Sequence, residues 1–160
     1  MGIIIRAIEQ KDNFVLAKLI KAIFREFKID KPGTVYTDPT TNDLFNLFET
    51  SGAAYWVAEE HGILLGGCGI YPTAGLPAKY AELVKFYLLP ASRGKGIGRA
   101  LLEKSFSSAV SFGYEQLYLE SFPELGKAVD MYEKSGLKHI NKPLGNSGHF
   151  ACTIFMVKML

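Results

Sequence analysis

Apolar residues recur along this chain first at strand spacing and then at helical spacing, and the alternation repeats to the end. Ile3 to Ile8 reads as a strand rich in β-branched residues. From Asp12 to Phe27, the residues Val15, Leu16, Leu19, Ile20, Ile23, Phe24 and Phe27 make one helical stripe. Lys28 to Thr37 is polar, holds Pro32-Gly33 and predicts a loop. Asp38-Pro39 is a helix start, a capping side chain followed by proline at the first helical position. Leu44, Phe45, Leu47 and Phe48 give that second helix its apolar side as far as Gly52. Ala54 to Glu59 and Ile63 to Tyr71 predict a hairpin about Glu60-His61-Gly62.

The second half repeats the alternation. Pro72 to Lys79 is a loop with Gly75 and Pro77, and Tyr80 to Leu89 is a central strand, apolar apart from Glu82 and Lys85. Gly98 to Phe112 is helical and stops at Gly113. Gln116 to Glu120 is a short strand, and Ser121-x-x-Glu124 predicts a capping box before Leu125, Ala128, Val129 and Tyr132 at helical spacing. Gly136 closes that helix, and Leu137 to Ile140 and Thr153 to Lys158 are final strands. Asn141 to His149, rich in Gly and Asn, predicts a mobile loop between them. The order β-α-α-β-β-β-α-β-α-β-β places the chain in the α/β (α+β) class.

Between the central strand and the next helix lies Pro90-Ala91-Ser92-Arg93-Gly94-Lys95-Gly96-Ile97-Gly98-Arg99. A glycine-rich basic turn opening into a helix exposes backbone N–H groups at the positive end of the helix dipole, a setting suited to phosphate. Glycines at 94, 96 and 98 let that backbone approach a ligand with no Cβ in the way. The run is not a P-loop, which needs Gly-x-x-x-x-Gly-Lys-Ser/Thr. Nor is it a dinucleotide fingerprint, since its glycines alternate and it lies past the middle of the chain.

Leu88 to Gly98 instead resembles the core signature of the GNAT superfamily of acetyl-CoA-dependent N-acetyltransferases, Val/Leu-x-Pro-x-x-Arg-Gly-x-Gly-Ile-Gly. Ala128-Val129-Asp130-Met131-Tyr132-Glu133-Lys134-Ser135-Gly136-Leu137 is similar to the family's Ala-x-x-x-Tyr-x-x-x-Gly-Phe segment, with Leu137 in place of Phe. The resemblance implies the acyl-CoA N-acyltransferase fold, a mixed, mostly antiparallel sheet flanked by helices, with splayed central strands. It implies acetyl-CoA as cosubstrate and acetyl transfer to a primary amine of a small molecule or peptide, by direct attack in a ternary complex. Cofactor binding then falls to Phe86, Tyr87 and Leu88 along pantetheine, and to Arg93, Gly94, Lys95, Gly96, Ile97, Gly98 and Arg99 around the pyrophosphate. The N–H of Leu88 is the expected donor to the thioester oxygen. Many members carry Asn where this chain has Leu125, so that contact with the pantetheine arm is absent or made otherwise. Many relatives dimerise, which leaves a homodimer open here.

Two residues are expected to carry proton transfer. Strict alternation puts Glu82 on the face of Val84, Phe86 and Leu88, an apolar setting that raises a carboxyl pKa toward neutrality. By resemblance its position matches a catalytic glutamate of histone-acetylating members; the alternative is a strand-end glutamate facing water. Tyr132 matches the family tyrosine that approaches the cofactor sulfur and is the candidate acid, the alternative being a core residue completing the helical stripe. His61 lies at the hairpin tip, and His149 is a candidate for lining the acceptor site. The loops at 28–37, 72–79 and 141–149 are expected to decide the acceptor, with Tyr36, Tyr71 and Tyr80 as lining or packing residues.

Composition narrows the remaining classes. A chain of 160 residues, 48% hydrophobic and 21% charged, reads as one globular domain spanning 1–160. A formal charge of +2 gives no case for nucleic acid, and Arg93, Lys95 and Arg99 are explained by an anionic cofactor. Ile3-Ile4-Ile5 is interrupted at once by Arg6, so no signal segment or membrane span is expected and the location reads as cytoplasmic. Cys68 and Cys152 belong to no CxxC pair and read as core residues rather than a disulfide or nucleophile. Histidines and cysteines are too dispersed for a metal site. Two other functions remain open: a silent acyl-CoA-binding sensor, and a transferase using a different acyl group or an oxygen acceptor.

Overall fold

The computed structural model describes residues 2–160. Strands β1 (Ile4–Ala7), β2 (Ala54–Glu60), β3 (Ile63–Tyr71), β4 (Tyr80–Leu88), β5 (Gln116–Ser121), β6 (Lys138–Ile140) and β7 (Ile154–Met159) form one sheet in the order β1-β2-β3-β4-β5-β7-β6. Every neighbouring pair is antiparallel except β4 with β5. Helices α1 (Asn13–Glu26) and α2 (Leu44–Leu47) cover one face, and α3 (Ile97–Ser111) and α4 (Gly126–Lys134) cover the other.

The two faces build separate cores. Leu16, Leu19, Ile20, Ile23 and Phe24 of α1 pack with Leu44, Tyr55, Val57 and Phe122. On the opposite face, Leu101, Leu102 and Ala109 of α3 and Val129 and Tyr132 of α4 pack on Cys68, Ile70, Leu83, Leu117 and Met156. Each helical stripe thus buries against one surface of the sheet, the layered solution expected of amphipathic elements. Arg6 on β1 ties the start of α1 to the sheet, donating to Asp12 at 2.8 and 3.0 Å and to Glu59. Among the described residues no helix is long and apolar enough to cross a membrane.

Three local expectations change. The second helix does not run unbroken to Gly52. Asp38 does cap a turn, accepting from the Thr40 N–H at 3.0 Å, but that turn is a 3-10 segment, Pro39–Asn42. Asp43 then leaves helical geometry at φ −144° and caps the short α2, because its side chain and that of Asn13 satisfy the amides at Asn46 and Phe45. The Ser121-x-x-Glu124 box does not form either. Ser121 stays in the β5–β7 ladder, Pro123 opens a 3-10 turn, and α4 begins at Gly126. Finally, the 141–149 loop is tethered rather than free. The Asn146 N–H donates to Ala74 O at 2.7 Å, the Leu144 N–H to the Tyr118 hydroxyl at 3.0 Å, and the Ser147 hydroxyl to Glu120 at 2.5 Å.

Candidate active site

The parallel pairing of β4 with β5 lasts three residues. Tyr80, Ala81 and Glu82 sit opposite Gln116, Leu117 and Tyr118, after which β4 continues against β3 and β5 against β7. The gap between the diverging strands holds a cavity of about 50 Å³, lined among others by Glu82, Lys85, Phe86, Tyr87, Glu120, Leu125, Tyr132 and His149.

A bulge holds β4 in this path. Between Gly67↔Tyr87 and Gly69↔Val84 the register shifts, so Lys85 and Phe86 together oppose Cys68. Lys85 carries the extra residue at φ 54°, a left-handed conformation unusual for a side chain of its size. Its carbonyl accepts a 2.7 Å hydrogen bond from the buried hydroxyl of Tyr55. Room for that ring comes from β3, where a Cβ on Gly67 would lie 2.5 Å from the Tyr55 ring.

The bulge also corrects the expected facing of Glu82. Alternation holds through Val84 and then resets. Val84, Tyr87 and Leu89 pack toward α1, while Phe86 and Leu88 pack toward α3 and α4. Glu82 therefore shares its face with Val84 and Tyr87, not with Phe86 and Leu88. The Leu89 N–H donates to Leu65 O on β3 at 2.8 Å, so alternation directs the Leu88 N–H to the opposite, splayed edge.

Glu82 is 4% exposed, and burial raises its carboxyl to a pKa of about 7. A 2.6 Å hydrogen bond from the Thr73 hydroxyl opposes that rise, the nearby Glu120 adds to it, and His149 and Lys85 offset it. Glu120 is itself engaged by the hydroxyls of Tyr118, at 2.7 Å, and Ser147. Across the cavity, His149 Nε2 lies 2.8 Å from Asp38 Oδ2, and this contact foremost holds the Asp38 carboxyl far below the usual range. Segments 28–38, 72–79 and 141–149 thus converge on one polar chamber through Val35, Asp38, Thr73, Ser147 and His149.

Tyr132 closes the cavity from α4. It is 7% exposed, packs on Phe86 with ring centroids 5.7 Å apart, and burial pushes its phenol up. Among the described residues its hydroxyl has no hydrogen-bond partner, whereas the hydroxyls of Tyr55, Tyr114 and Tyr118 all do. Leu125 lines the same cavity. The tyrosines at 36, 71 and 80 do not line it: Tyr71 packs edge-on against Phe48, and Tyr36 lies under Arg25. His61 is exposed in the hairpin turn, and His139 pairs on the surface with Glu133.

Beyond Leu88 the glycine-rich turn runs to α3. Gly96 caps this helix at φ 81° in open space, and the first amide of α3 to be bonded is that of Ala100, to Gly96 O. The N–H groups of Ile97, Gly98 and Arg99 therefore point outward from the helix start, as an anion-binding terminus requires. Gly98 serves packing instead, since a Cβ there would meet Phe86, Leu88 and Met131 at 3.0 to 3.1 Å. Arg93, expected at the pyrophosphate, has its guanidinium committed elsewhere. It binds both carboxylate oxygens of Glu26, at 2.8 and 3.0 Å, donates to Leu88 O and covers the Phe27 ring, so it fastens the turn to α1. Arg99 pairs with Glu103 one helical turn on, and Lys95 is exposed.

Comparison with known proteins gives this geometry a family. The sequence model of the Acetyltransferase (GNAT) family matches residues 19–137. The chain belongs to that family. The uncharacterized N-acetyltransferase YjgM of Escherichia coli is 36% identical over 159 residues, covering 98% of this chain and 95% of its own length. Among solved structures, a GNAT-family acetyltransferase of Staphylococcus aureus superposes with a TM-score of 0.84 at 20% identity, covering 99% of each chain. The PaiA N-acetyltransferase of Thermoplasma acidophilum, solved with coenzyme A, gives 0.75 at 20% identity over all of both chains. The GNAT fold and an acyltransferase activity of the N-acetyl class follow. Of the residues named from sequence, Glu82, Phe86, Tyr87 and Tyr132 meet at the GNAT cavity, and Leu88 leads from it to the turn at 93–99. Lys85, Asp38, Thr73 and Glu120 were not singled out as site residues. For Lys85 a signal was present, a lone cation in an apolar strand; the others depend on loop packing.

Proposed function

We propose that this GNAT protein transfers the acetyl group of acetyl-CoA to a primary amine by direct attack within a ternary complex. The observation that carries the reading is the meeting, in one splayed gap, of a buried carboxyl with a pKa of about 7 and a tyrosine hydroxyl with no partner among the described residues. The residues fit acetyl-CoA. The amides at the start of α3 and the open space at Gly94 and Gly96 suit the pyrophosphate, and the free edge of β4 suits the pantetheine arm. When bound, acetyl-CoA supplies an activated acetyl thioester.

Glu82 does the first part of the work. An alkylammonium must lose a proton before its nitrogen attacks, and a carboxyl titrating near 7 is substantially ionised at neutral pH yet still basic enough to accept one. Thr73 fixes the carboxyl through Oε1. The Leu88 N–H, on the splayed edge, polarises the carbonyl under attack. Tyr132 holds a proton on its hydroxyl at neutral pH, available to a departing sulfur. An acyl-enzyme route has little support: burial pushes both Cys68 and Cys152 up to about 12, leaving each thiol protonated and a weak nucleophile.

The test is thiol release from acetyl-CoA by the purified protein across a panel of primary amines and alcohols. Turnover with a subset of amines is expected. Binding of acetyl-CoA with no release for any acceptor identifies a sensor, and release with alcohols alone identifies an O-acetyltransferase.

A further inference from the structure

Lys85 stands out among the charged groups of the cavity. It is 8% exposed, lines the cavity and sits on the bulge whose carbonyl Tyr55 clamps. Among the described residues its ammonium has neither a hydrogen-bond nor a salt-bridge partner. Asp38 and Glu82 act on it through space, but neither touches it. Each nearby carboxylate already has partners: Asp38 has Thr40 and His149, Glu82 has Thr73, and Glu120 has Tyr118 and Ser147. Its N–H donors therefore have no protein partner at the cavity wall, and burial there lowers the ammonium's pKa while Asp38 and Glu82 oppose that fall.

Largely desolvating an ammonium without giving it a partner is costly, and native structures pair such groups or use them on ligands. An anionic group on the acceptor satisfies Lys85 and leaves the internal pairs intact. The chamber's other contribution is Glu82, the base of the proposed reaction. An acceptor offering an ammonium to Glu82 and a carboxylate to Lys85 matches both charges within one strand. A free amino acid is the most compact acceptor that carries both groups at once.

We propose that Lys85 binds the carboxylate of the acceptor, and that the acceptors are free amino acids or similarly compact amino-carboxylates. This rests on the reading of the cavity as the acceptor site. It makes Lys85 a specificity residue, distinct in role from Glu82 and Tyr132.

The experiment compares proteinogenic amino acids with their carboxamides and decarboxylated amines as acceptors, for the wild type, Lys85→Gln and Lys85→Arg. The wild type is expected to favour the carboxylate-bearing member of a matched set by about 10- to 100-fold in kcat/KM, as for a charge-assisted contact. In Lys85→Gln that preference collapses, chiefly through KM, and Lys85→Arg recovers part of it. Thermal stabilisation by acetyl-CoA shows that each variant is folded. Equal use of the three acceptor types by the wild type overturns the proposal and leaves acetyl transfer standing. So does an equal loss on all three in Lys85→Gln. With coenzyme A bound and turnover removed from the question, the same amino acids should raise the melting temperature of the wild type and not of Lys85→Gln. Carboxylate-dependent binding without any thiol release supports the role of Lys85 and overturns the transferase reading. No carboxylate-dependent binding and no preference overturns the role of Lys85.

Discussion

The Tyr55 hydroxyl donates to the carbonyl of Lys85 at 2.7 Å, from β2 across β3 to the bulge on β4. That one bond links the interior of the sheet to the splay that makes the site. Without it the bulged carbonyl is left buried and unpaired, and the left-handed Lys85 loses its support. Tyr55→Phe is expected to cost about 1–3 kcal/mol. At roughly 2–4 °C per kcal/mol for a chain of this size, the loss is readable by calorimetry. Acetyl-CoA affinity should fall with it, because the edge that pantetheine follows relaxes. An unchanged melting temperature would show that the bulge holds without its clamp.

The glycines of the turn separate into two roles. Gly96 sits at φ 81° with open space beyond it, whereas Gly98 is pressed against Phe86, Leu88 and Met131. Gly96→Val puts a β-branched residue in left-handed backbone at a cost of about 1–2 kcal/mol and fills the ligand's approach. It should abolish thermal stabilisation by acetyl-CoA. Gly98→Val should instead lower the melting temperature of the free protein, through the overpacked contact of α3 with β4. Titration calorimetry beside scanning calorimetry distinguishes the pair. If Gly96→Val binds acetyl-CoA like the wild type, the turn is not the cofactor site.

Most elements were legible because their periodicity is strong. The stripes of α1 and α4 and the apolar run of β4 are set by burial, and burial writes directly into the order of residues. The facing of Glu82 was not legible. A bulge adds one residue to the count, and its cause lies in Gly67 and Tyr55, on strands distant in sequence. The ion pair of Arg93 was not legible for a related reason: nothing in its own motif announces Glu26, 67 positions away. The Asn141–His149 segment has loop composition, but its tethers to Ala74, Tyr118 and Glu120 are tertiary.

Tyr132→Phe removes one oxygen from a ring that otherwise keeps its packing on Phe86. Among the described residues the hydroxyl makes no hydrogen bond, so the melting temperature should change little. Acetyl-CoA affinity should likewise hold, while kcat falls about 10²-fold or more, in keeping with loss of a general acid. Equal losses in binding and turnover would assign Tyr132 to holding the cofactor instead.

Glu82→Gln carries two signatures with opposite consequences. Its carboxyl titrates near 7 in the folded protein against about 4.5 for an ordinary glutamate, so between those values the native state holds a proton that the unfolded chain has lost. Stability from this group is therefore fully present at low pH and declines as pH rises through 4.5 toward 7. The amide cannot ionise, so the variant's melting temperature should lack that downward slope and exceed the wild type's trend at neutral pH. Activity should move the other way. Wild-type kcat/KM should climb as Glu82 ionises near 7, and the variant should lack that climb, approaching the wild type only where the amine deprotonates in alkaline buffer. The two profiles are read on the same preparations, by scanning calorimetry and by thiol release. A flattened stability profile with an unchanged pH–rate profile would leave Glu82 a buried carboxyl and move the base to another group.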